Sequence, residues 1–109
     1  MYIIESTQFF DNATSPRESE VLLNTNGSQL TLDVSGSATT FLIKVLGSAS
    51  IKSNDIWNTL APINLSDYSI SNTIASNGIY TVPIDGIGRI KLSLVEINGA
   101  ISVSGKVGV

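Results

Sequence analysis

The residue types that carry out most protein chemistry are scarce in this sequence of 109 residues. It contains no histidine and no cysteine, so it lacks the commonest general base and the thiolate nucleophile. A serine nucleophile would then need a lysine as its base, and the chain contains no Ser-x-x-Lys motif. The sequence therefore predicts no site for nucleophilic catalysis.

The carboxylates do not form a pattern that suits acid–base catalysis or metal binding. They are spread singly, mostly at predicted turns or on outward-facing strand positions, as Asp33, Asp55, Asp67, Asp85 and Glu96. No Asp-x-Asp-x-Asp ladder offers oxygen ligands to Ca²⁺. The short segment Gly86-Ile87-Gly88 lacks the spacing and the following helix of a phosphate-binding loop. We predict that the protein is not an enzyme and uses neither a metal nor a cofactor.

Three aromatic residues suggest a binding hypothesis. Trp57, Tyr68 and Tyr80 could stack on sugar rings, as the aromatic side chains of β-sandwich carbohydrate-binding modules do. The alternative is structural: Trp57 would close the core or its rim, and Tyr80 would point inward with its hydroxyl group at the solvent. The residue pattern favours the structural alternative.

The charge content restricts the kinds of partner. The formal net charge is −3, and the six basic residues are scattered along the chain, which argues against nucleic acid or an anionic membrane as a partner. Only 14% of the residues are charged, compared with about 25% in a typical soluble domain. The low charge content has two possible explanations: the β-sheet surface is rich in serine and threonine, or much of the surface is covered in an assembly.

Alternating residues predict the fold class. Leu30, Leu32 and Val34 share one strand face, and Phe41, Ile43 and Val45 share another, with glycine, serine and alanine between the two runs. Further short strands are predicted at residues 21–23, 79–84, 89–97 and 101–107, with turn signals every 8–12 residues. The pattern predicts an all-β chain that folds as a single antiparallel β-sandwich, of the jelly-roll or immunoglobulin-like type.

Several local features can be predicted within that sandwich. Asn26-Gly27 and Asn98-Gly99 have the composition of two-residue hairpin turns, and the second should join residues 89–97 to the last strand. Val95 breaks the alternation of its strand, which predicts a bulge near residues 94–95. Pro83 should end its strand or place that strand at an edge.

The two ends of the chain suggest contacts between subunits. Residues 1–20 are an N-terminal strand with a loop, or an arm that docks on a neighbour through Phe9 and Phe10; residues 21–109 form the sandwich domain. The chain ends on Val107-Gly108-Val109, and an apolar terminus frays unless something holds it. We expect Val107 and Val109 to contact a neighbouring subunit in a homo-oligomer, a trimer or a ring. The alternative is that the last strand pairs centrally within its own sandwich.

Six segments follow one another in an order that carries a resemblance. They are the strand that leads to Gly36 and Ala38-Thr39, the strand of residues 41–47, the segment of residues 57–65 that begins with Trp57, the Gly-Ile-Tyr strand of residues 78–82, the strand of residues 86–92, and the last hairpin motif of residues 98–105. In this order they resemble a small β-sandwich module of the virion structural proteins of tailed bacteriophages. The family often has leucine where this chain has Ile87, and residues 1–20 fall outside the pattern.

The resemblance implies a function without catalysis. Modules of this kind decorate capsids, form head fibres, or sit in necks and baseplates, where they bind one another and other virion proteins. The resemblance therefore implies a virion structural protein, while the aromatic residues keep a glycan-binding module for host attachment as the alternative. Tyr2-Ile3-Ile4 is too short for a signal-peptide core, so we expect assembly into the virion in the host cytoplasm.

Overall fold

The computed structural model describes residues 6–49 and 56–109, and Asp55 and the segment Tyr2-Ile3-Ile4 lie outside this range. The described residues contain strands and turns but no helix. The strands are β1 (Ser6–Ala13), β2 (Arg17–Glu18), β3 (Leu22–Leu23), β4 (Gln29–Gly36), β5 (Thr40–Ser48), β6 (Asn58–Thr59), β7 (Ile63–Asn64), β8 (Gly78–Pro83), β9 (Arg89–Asn98) and β10 (Ile101–Gly108).

The strands form two antiparallel sheets that pack face to face. The first sheet has the order β1-β10-β4-β8-β7, and the second has the order β2-β9-β5-β6, with β3 also paired to β9. The prediction of a single antiparallel β-sandwich is confirmed. The longest strand pairs are β5 with β9 in the second sheet and β10 with β4 in the first.

The core consists of the residues that the alternation predicted to face inward. Leu30, Leu32 and Val34 of β4 are fully or almost fully buried, and so are Ile43 and Val45 of β5. Burying one such side chain contributes about 1.5–3 kcal/mol relative to leaving it exposed. Residues from both sheets and from the connections complete the same cluster, which includes Phe41, Ile74, Tyr80, Val82, Ile84, Ile90, Leu92, Leu94, Ile101 and Val103.

The predicted hairpin at Asn98-Gly99 is wrong, because the two strands that it joins belong to different sheets. β9 pairs with β5 in the second sheet, whereas β10 pairs with β4 in the first. The connection therefore crosses the sandwich, beside the similar crossing from β4 to β5. The two crossings are hydrogen-bonded, with Ala38 N donating to Ala100 O at 3.0 Å and Thr39 N donating to Asn98 O at 3.0 Å. Gly99 does have a positive φ, of 111°, as its place in a tight turn requires.

Asn26-Gly27 does not form a hairpin either. It lies between β3 in the second sheet and β4 in the first, and Gly27 is not among the residues with positive φ. The side chain of Asn24 fixes this loop instead, since its Oδ1 accepts a hydrogen bond from Gly27 N at 2.8 Å. The Asn24 side chain therefore sets the conformation of this loop, and the two-residue turn predicted from the Asn-Gly composition does not form.

The predicted bulge and the predicted effect of proline are both present. Leu42 pairs with Glu96 while the next residue, Ile43, pairs with Leu94, so Val95 is the extra residue in β9. β8 ends at Pro83, and it lies second from the edge of the first sheet.

The described part of the N-terminal segment belongs to the sandwich. β1 pairs with β10 and β2 pairs with β9, so the segment contributes a strand to each sheet. Phe9 and Phe10 are 7% and 3% exposed within the core, so the prediction that they anchor a docking arm is wrong. Both neighbours can face inward because the register of β1 shifts between Gln8 and Phe10.

The last strand is held by its own chain. β10 lies between β1 and β4 and pairs with both, which is the alternative that the sequence had left open. Val107 is half-buried against the core, whereas Val109 is fully exposed. A neighbouring sheet is therefore not needed to hold β10, and its backbone offers no free edge for strand addition.

Candidate functional site

The connection between β7 and β8, residues 65–77, spans the side of the sandwich between the two sheets. It begins at the edge of the first sheet, where Ile63 and Ile70 form an antiparallel bridge. It reaches the second sheet at Ile74, whose backbone exchanges two hydrogen bonds with Ile43, of 2.9 and 2.8 Å. Because Ile74 is also fully buried, the connection is fixed to both sheets.

The first part of the connection is a hydrogen-bonded turn. Asn64 Oδ1 accepts bonds from the backbone N and the hydroxyl group of Ser66, both at 2.9 Å. Tyr68 N donates to Asn64 O at 2.6 Å, and Ser69 N donates to Asp67 Oδ1 at 2.9 Å. The bonds from the backbone and then the side chain of Ser69 lower the pKa of Asp67 from its ordinary value of 3.8. Side-chain acceptors at the turn therefore hold its backbone in one conformation.

Tyr68 is displayed by this turn. Its φ is +60°, in the left-handed region that is uncommon for residues other than glycine, and its side chain is 75% exposed. Such a conformation costs about 1–3 kcal/mol and persists only where its surroundings impose it. The turn thus holds an aromatic ring in solvent at an energetic cost, and strained residues of this kind cluster at functional sites.

Tyr68 belongs to a group of exposed apolar residues, which we call the edge patch: Leu65, Tyr68, Ile70 and Ile79. All four are among the large exposed hydrophobic residues of the described chain. The turn meets β8 directly, since Leu65 N donates to Ile79 O at 3.0 Å. Exposed apolar residues on adjacent segments mark interaction surfaces more often than isolated exposed residues do.

A cavity of about 190 Å³ lies beside the same turn, and we call it the hydroxyl pocket. None of the side chains that line it is charged. They come from the residue before β7, from β7, from the connection and from β8, and they are Pro62, Asn64, Ser69, Ser71, Thr73, Ala75, Ser76 and Tyr80. Sequence reasoning missed most of these residues, and the only local signal was the run of turn-forming residues after Ile63.

The three aromatic residues predicted to bind sugar do not form one platform. Tyr80 is buried, and its hydroxyl group donates to Ser76 O at 2.8 Å, so it cannot stack on a ligand. Trp57 lies against β9 of the second sheet, whereas Tyr68 lies at the edge of the first. The glycan-binding prediction for these three residues together is therefore wrong, and the inward position predicted for Tyr80 is confirmed.

Trp57 is half-buried and packs against two cations. The Arg89 guanidinium carbon lies 4.6 Å from the ring centroid, and Lys91 Nζ lies 4.4 Å from it. Lys91 also forms a 3.1 Å ion pair with Glu18. Arg89 and Lys91 lie on β9, and Lys44 lies on the neighbouring strand β5, so three of the basic residues that are scattered along the sequence lie on two adjacent strands. Glu18 neutralises part of their positive charge. The cations stabilise the position of Trp57.

Other functional groups do not cluster in the part of the chain that the structure describes. Residues 6–49 and 56–109 contain no group of three or more acidic residues placed to hold a metal ion. Those ranges also contain no helix that is long and apolar enough to cross a membrane.

Comparison with known proteins places this fold among phage proteins. The XepA family model matches residues 4–107. The SPbeta prophage-derived uncharacterized protein YomS of Bacillus subtilis (strain 168) is 29% identical over 101 residues, which cover 92% of this chain and 83% of YomS. The crystal structure of SPBc2 prophage-derived protein YomS superposes with a TM-score of 0.83 at 26% identity, over 98% of this chain and 96% of that one.

A longer relative shares the fold. The crystal structure of PBSX exported protein XepA superposes with a TM-score of 0.83 over 98% of this chain, at 19% identity. The match covers 39% of the XepA chain, so this protein corresponds to less than half of that one. The bacteriophage resemblance seen in the sequence is confirmed at this level: the protein is phage-related, and the chain belongs to the XepA family.

Proposed function

We propose that the chain is a non-enzymatic structural component of a bacteriophage particle and that it acts by binding other proteins. The edge patch is the observation that carries this proposal, and the family membership supports the phage context. Capsid decoration, a head fibre, a neck or a baseplate would each suit such a component. The virion is then its site of action, with assembly in the host cytoplasm.

The edge patch has the properties of a protein-binding surface. It presents an aromatic and three aliphatic side chains, and aromatic residues are enriched in the cores of protein interfaces. The turn that carries Tyr68 is already ordered by Asn64 and Asp67, so binding would lose little conformational entropy. The low charge content also reduces the desolvation cost of covering this surface.

The partner is another copy of the chain, another virion protein, or both. Self-association as a trimer or ring would use side chains of the edge patch, because β10 is paired on both sides. Light scattering after gel filtration measures this directly. We expect a mass above that of one chain, and we expect Tyr68→Ser with Ile70→Ser to reduce it.

The decisive test of the structural role uses purified phage particles. Quantitative mass spectrometry of gradient-purified virions should find the chain at a fixed ratio to the major capsid protein. The double variant Tyr68→Ser, Ile70→Ser should be depleted from particles. Val95→Ser is the control, because Val95 is also an exposed aliphatic residue but lies on the second sheet. Absence of the wild-type chain from particles would refute the proposal.

A further inference from the structure

We propose that the hydroxyl pocket binds a single ring of a neutral sugar. The pocket lies beside the edge patch but uses different groups, so this proposal does not depend on the structural role. It also differs from the aromatic platform that the sequence suggested, because its contacts are hydroxyl and amide groups.

The walls of the pocket are fixed before any ligand arrives. Ile74 attaches the connection to β5 through two backbone hydrogen bonds, and Ser71 N donates to Pro62 O at 3.2 Å. Tyr80 is held as well, because it donates its hydroxyl hydrogen to Ser76 O at 2.8 Å. A preformed cavity of this kind spends little binding energy on ordering its own residues.

The hydroxyl pair of Ser76 and Tyr80 has a defined direction. Because the Tyr80 hydrogen is used by Ser76 O, the 2.8 Å contact between the two hydroxyl oxygens must have Ser76 Oγ as its donor. The lone pairs of Ser76 Oγ then remain available as acceptors.

Other residues that line the pocket supply donors. Asn64 Oδ1 is identified as the oxygen because it accepts from the backbone N of Ser66, so its Nδ2 donors are directed elsewhere. Ser71 Oγ accepts from Thr73 N at 3.3 Å, which leaves the Ser71 hydroxyl hydrogen for a ligand. Within the described ranges, Asn64 Nδ2 and Thr73 Oγ1 have no protein partner. The pocket thus combines unused donors with unused acceptors.

This combination selects a class of ligand. No charged side chain lines the pocket, so phosphate and carboxylate groups would find no cation to pair with. A sugar hydroxyl group both donates and accepts, which matches serine, threonine and amide partners. Pro62 and Ala75 add apolar surface for the C–H groups of a ring.

The size of the cavity sets how much of a glycan can enter. A volume of about 190 Å³ corresponds to roughly six water molecules at about 30 Å³ each. One pyranose ring is of about that size, and the remainder of a longer glycan would lie in solvent beyond the exposed rim residues. With only a few hydrogen bonds and little apolar burial, we expect affinity for a free monosaccharide of about 1 mM.

The test is a titration of the full chain followed by NMR of its backbone amides. The probes are glucose, galactose, N-acetylglucosamine and N-acetylgalactosamine, with glycerol as an acyclic polyol. We expect at least one sugar to shift the amides of residues 69–76 selectively and saturably. The absence of such shifts at tens of millimolar of every sugar, or an equal response to glycerol, would overturn the assignment.

Variants separate this pocket from the rest of the surface. Thr73→Val removes one unused hydroxyl group at nearly constant volume, and we expect it to weaken sugar binding at least tenfold. Thr59→Val is the matched control, because Thr59 is an exposed threonine in β6 of the second sheet. Thermal unfolding of both variants checks that they are folded. Binding that survives Thr73→Val unchanged would overturn the proposal, whereas virion incorporation of that variant tests the structural role separately.

Discussion

Asn24 connects two segments of the fold, and its replacement should destabilise the protein strongly. Its side chain is 8% exposed. Nδ2 lies within hydrogen-bond distance of Gly27 O at 3.1 Å, Ile84 O at 3.3 Å and Ile87 O at 2.8 Å. Oδ1 accepts from Gly27 N at 2.8 Å, and the backbone N of Asn24 donates to Gly88 O at 2.9 Å. One amide group therefore joins the loop before β4 to the turn between β8 and β9.

The magnitude follows from the groups that lose their partner. Asn24→Ala leaves the N–H of Gly27 and up to three carbonyl groups without their present partner at a largely buried position. Each buried unsatisfied group costs about 1–3 kcal/mol, and water that enters the space left by the side chain recovers part of this. We expect a net loss of about 3 kcal/mol in the free energy of unfolding. At about 4–8 °C per kcal/mol for a domain of this size, Tm should fall by roughly 12–24 °C.

Asn24→Asp should make the loss of stability depend on pH. The new carboxylate would place an oxygen where the amide donors now face three carbonyl groups, so folding should raise its pKa above the unfolded value of about 3.9. The penalty is then absent below pH 3.9, where both states are protonated, and grows as the pH rises through that value. Relative to wild type, this variant should be markedly less stable at pH 7 than at pH 3.5.

Urea unfolding followed by circular dichroism measures these differences, with the slope m as a check that both states are unchanged. Asn26→Ala is the control, because Asn26 lies in the same loop but is exposed, and its replacement should change stability by less than about 0.5 kcal/mol. If Asn24→Ala were as stable as that control, the network would be replaceable by water and the reasoning would be refuted.

Three further predictions concern other fixed points of the structure. Gly99→Val should lower stability by at least about 2 kcal/mol, because φ is 111° and a Cβ would lie 2.6 Å from Ala38 Cα. Gly86→Ala is the control for the cost of φ alone, because Gly86 has a φ of 82° and no atom lies within 4 Å of its Cβ position. Equal losses of stability in the two variants would contradict the steric clash at Gly99. The Asp67 carboxyl should titrate below 3.8 by NMR, and since its folded pKa is the lower one, its contribution to stability should be present above pH 3.8 and disappear as the pH falls through the folded value. Trp57→Ala should cost about 1–2 kcal/mol in thermal unfolding through lost packing and cation–π contacts, and a neutral result would mean that the ring adds nothing to the second sheet.

The sequence predicts the strands of this protein better than it predicts their partners. The alternation through Leu30 and Ile43 reports which face of each strand is buried, and burial is a property of the single strand. It does not report which strand lies alongside. Asn98-Gly99 has the composition of a hairpin turn, yet the pairing of β10 with β4 outweighs that preference, since eight cross-strand residue pairs form there. Local turn chemistry permits a tight reversal, and long-range pairing decides whether it becomes a hairpin or a crossing.

The candidate site was hidden from sequence reasoning for a related physical reason. Its side chains come from β7, from a connection without hydrophobic periodicity, and from Tyr80. They come together because Ile74 is hydrogen-bonded to β5, about thirty positions earlier in the sequence. Of the residues predicted to bind sugar, Tyr68 alone is strongly exposed. Its φ lies in the left-handed region, a conformation that sequence composition does not predict for tyrosine. Hydrophobic alternation identifies the residues of the core, but it gives no information about polar side chains that a loop brings together.

The sheet edges determine how such a protein can assemble. Three of the four edges in the described chain carry two-residue strands, β2, β6 and β7, each of which offers too little backbone of its own for strand addition. The fourth, β1, is longer, but its register shifts twice, and Asn12 adopts a φ of 47° while its N–H donates to Ser102 Oγ. Bulges and kinks of this kind prevent edge-to-edge pairing in natural sheets. We therefore expect the proposed assembly to use side chains, and the edge patch offers four exposed apolar residues on neighbouring segments.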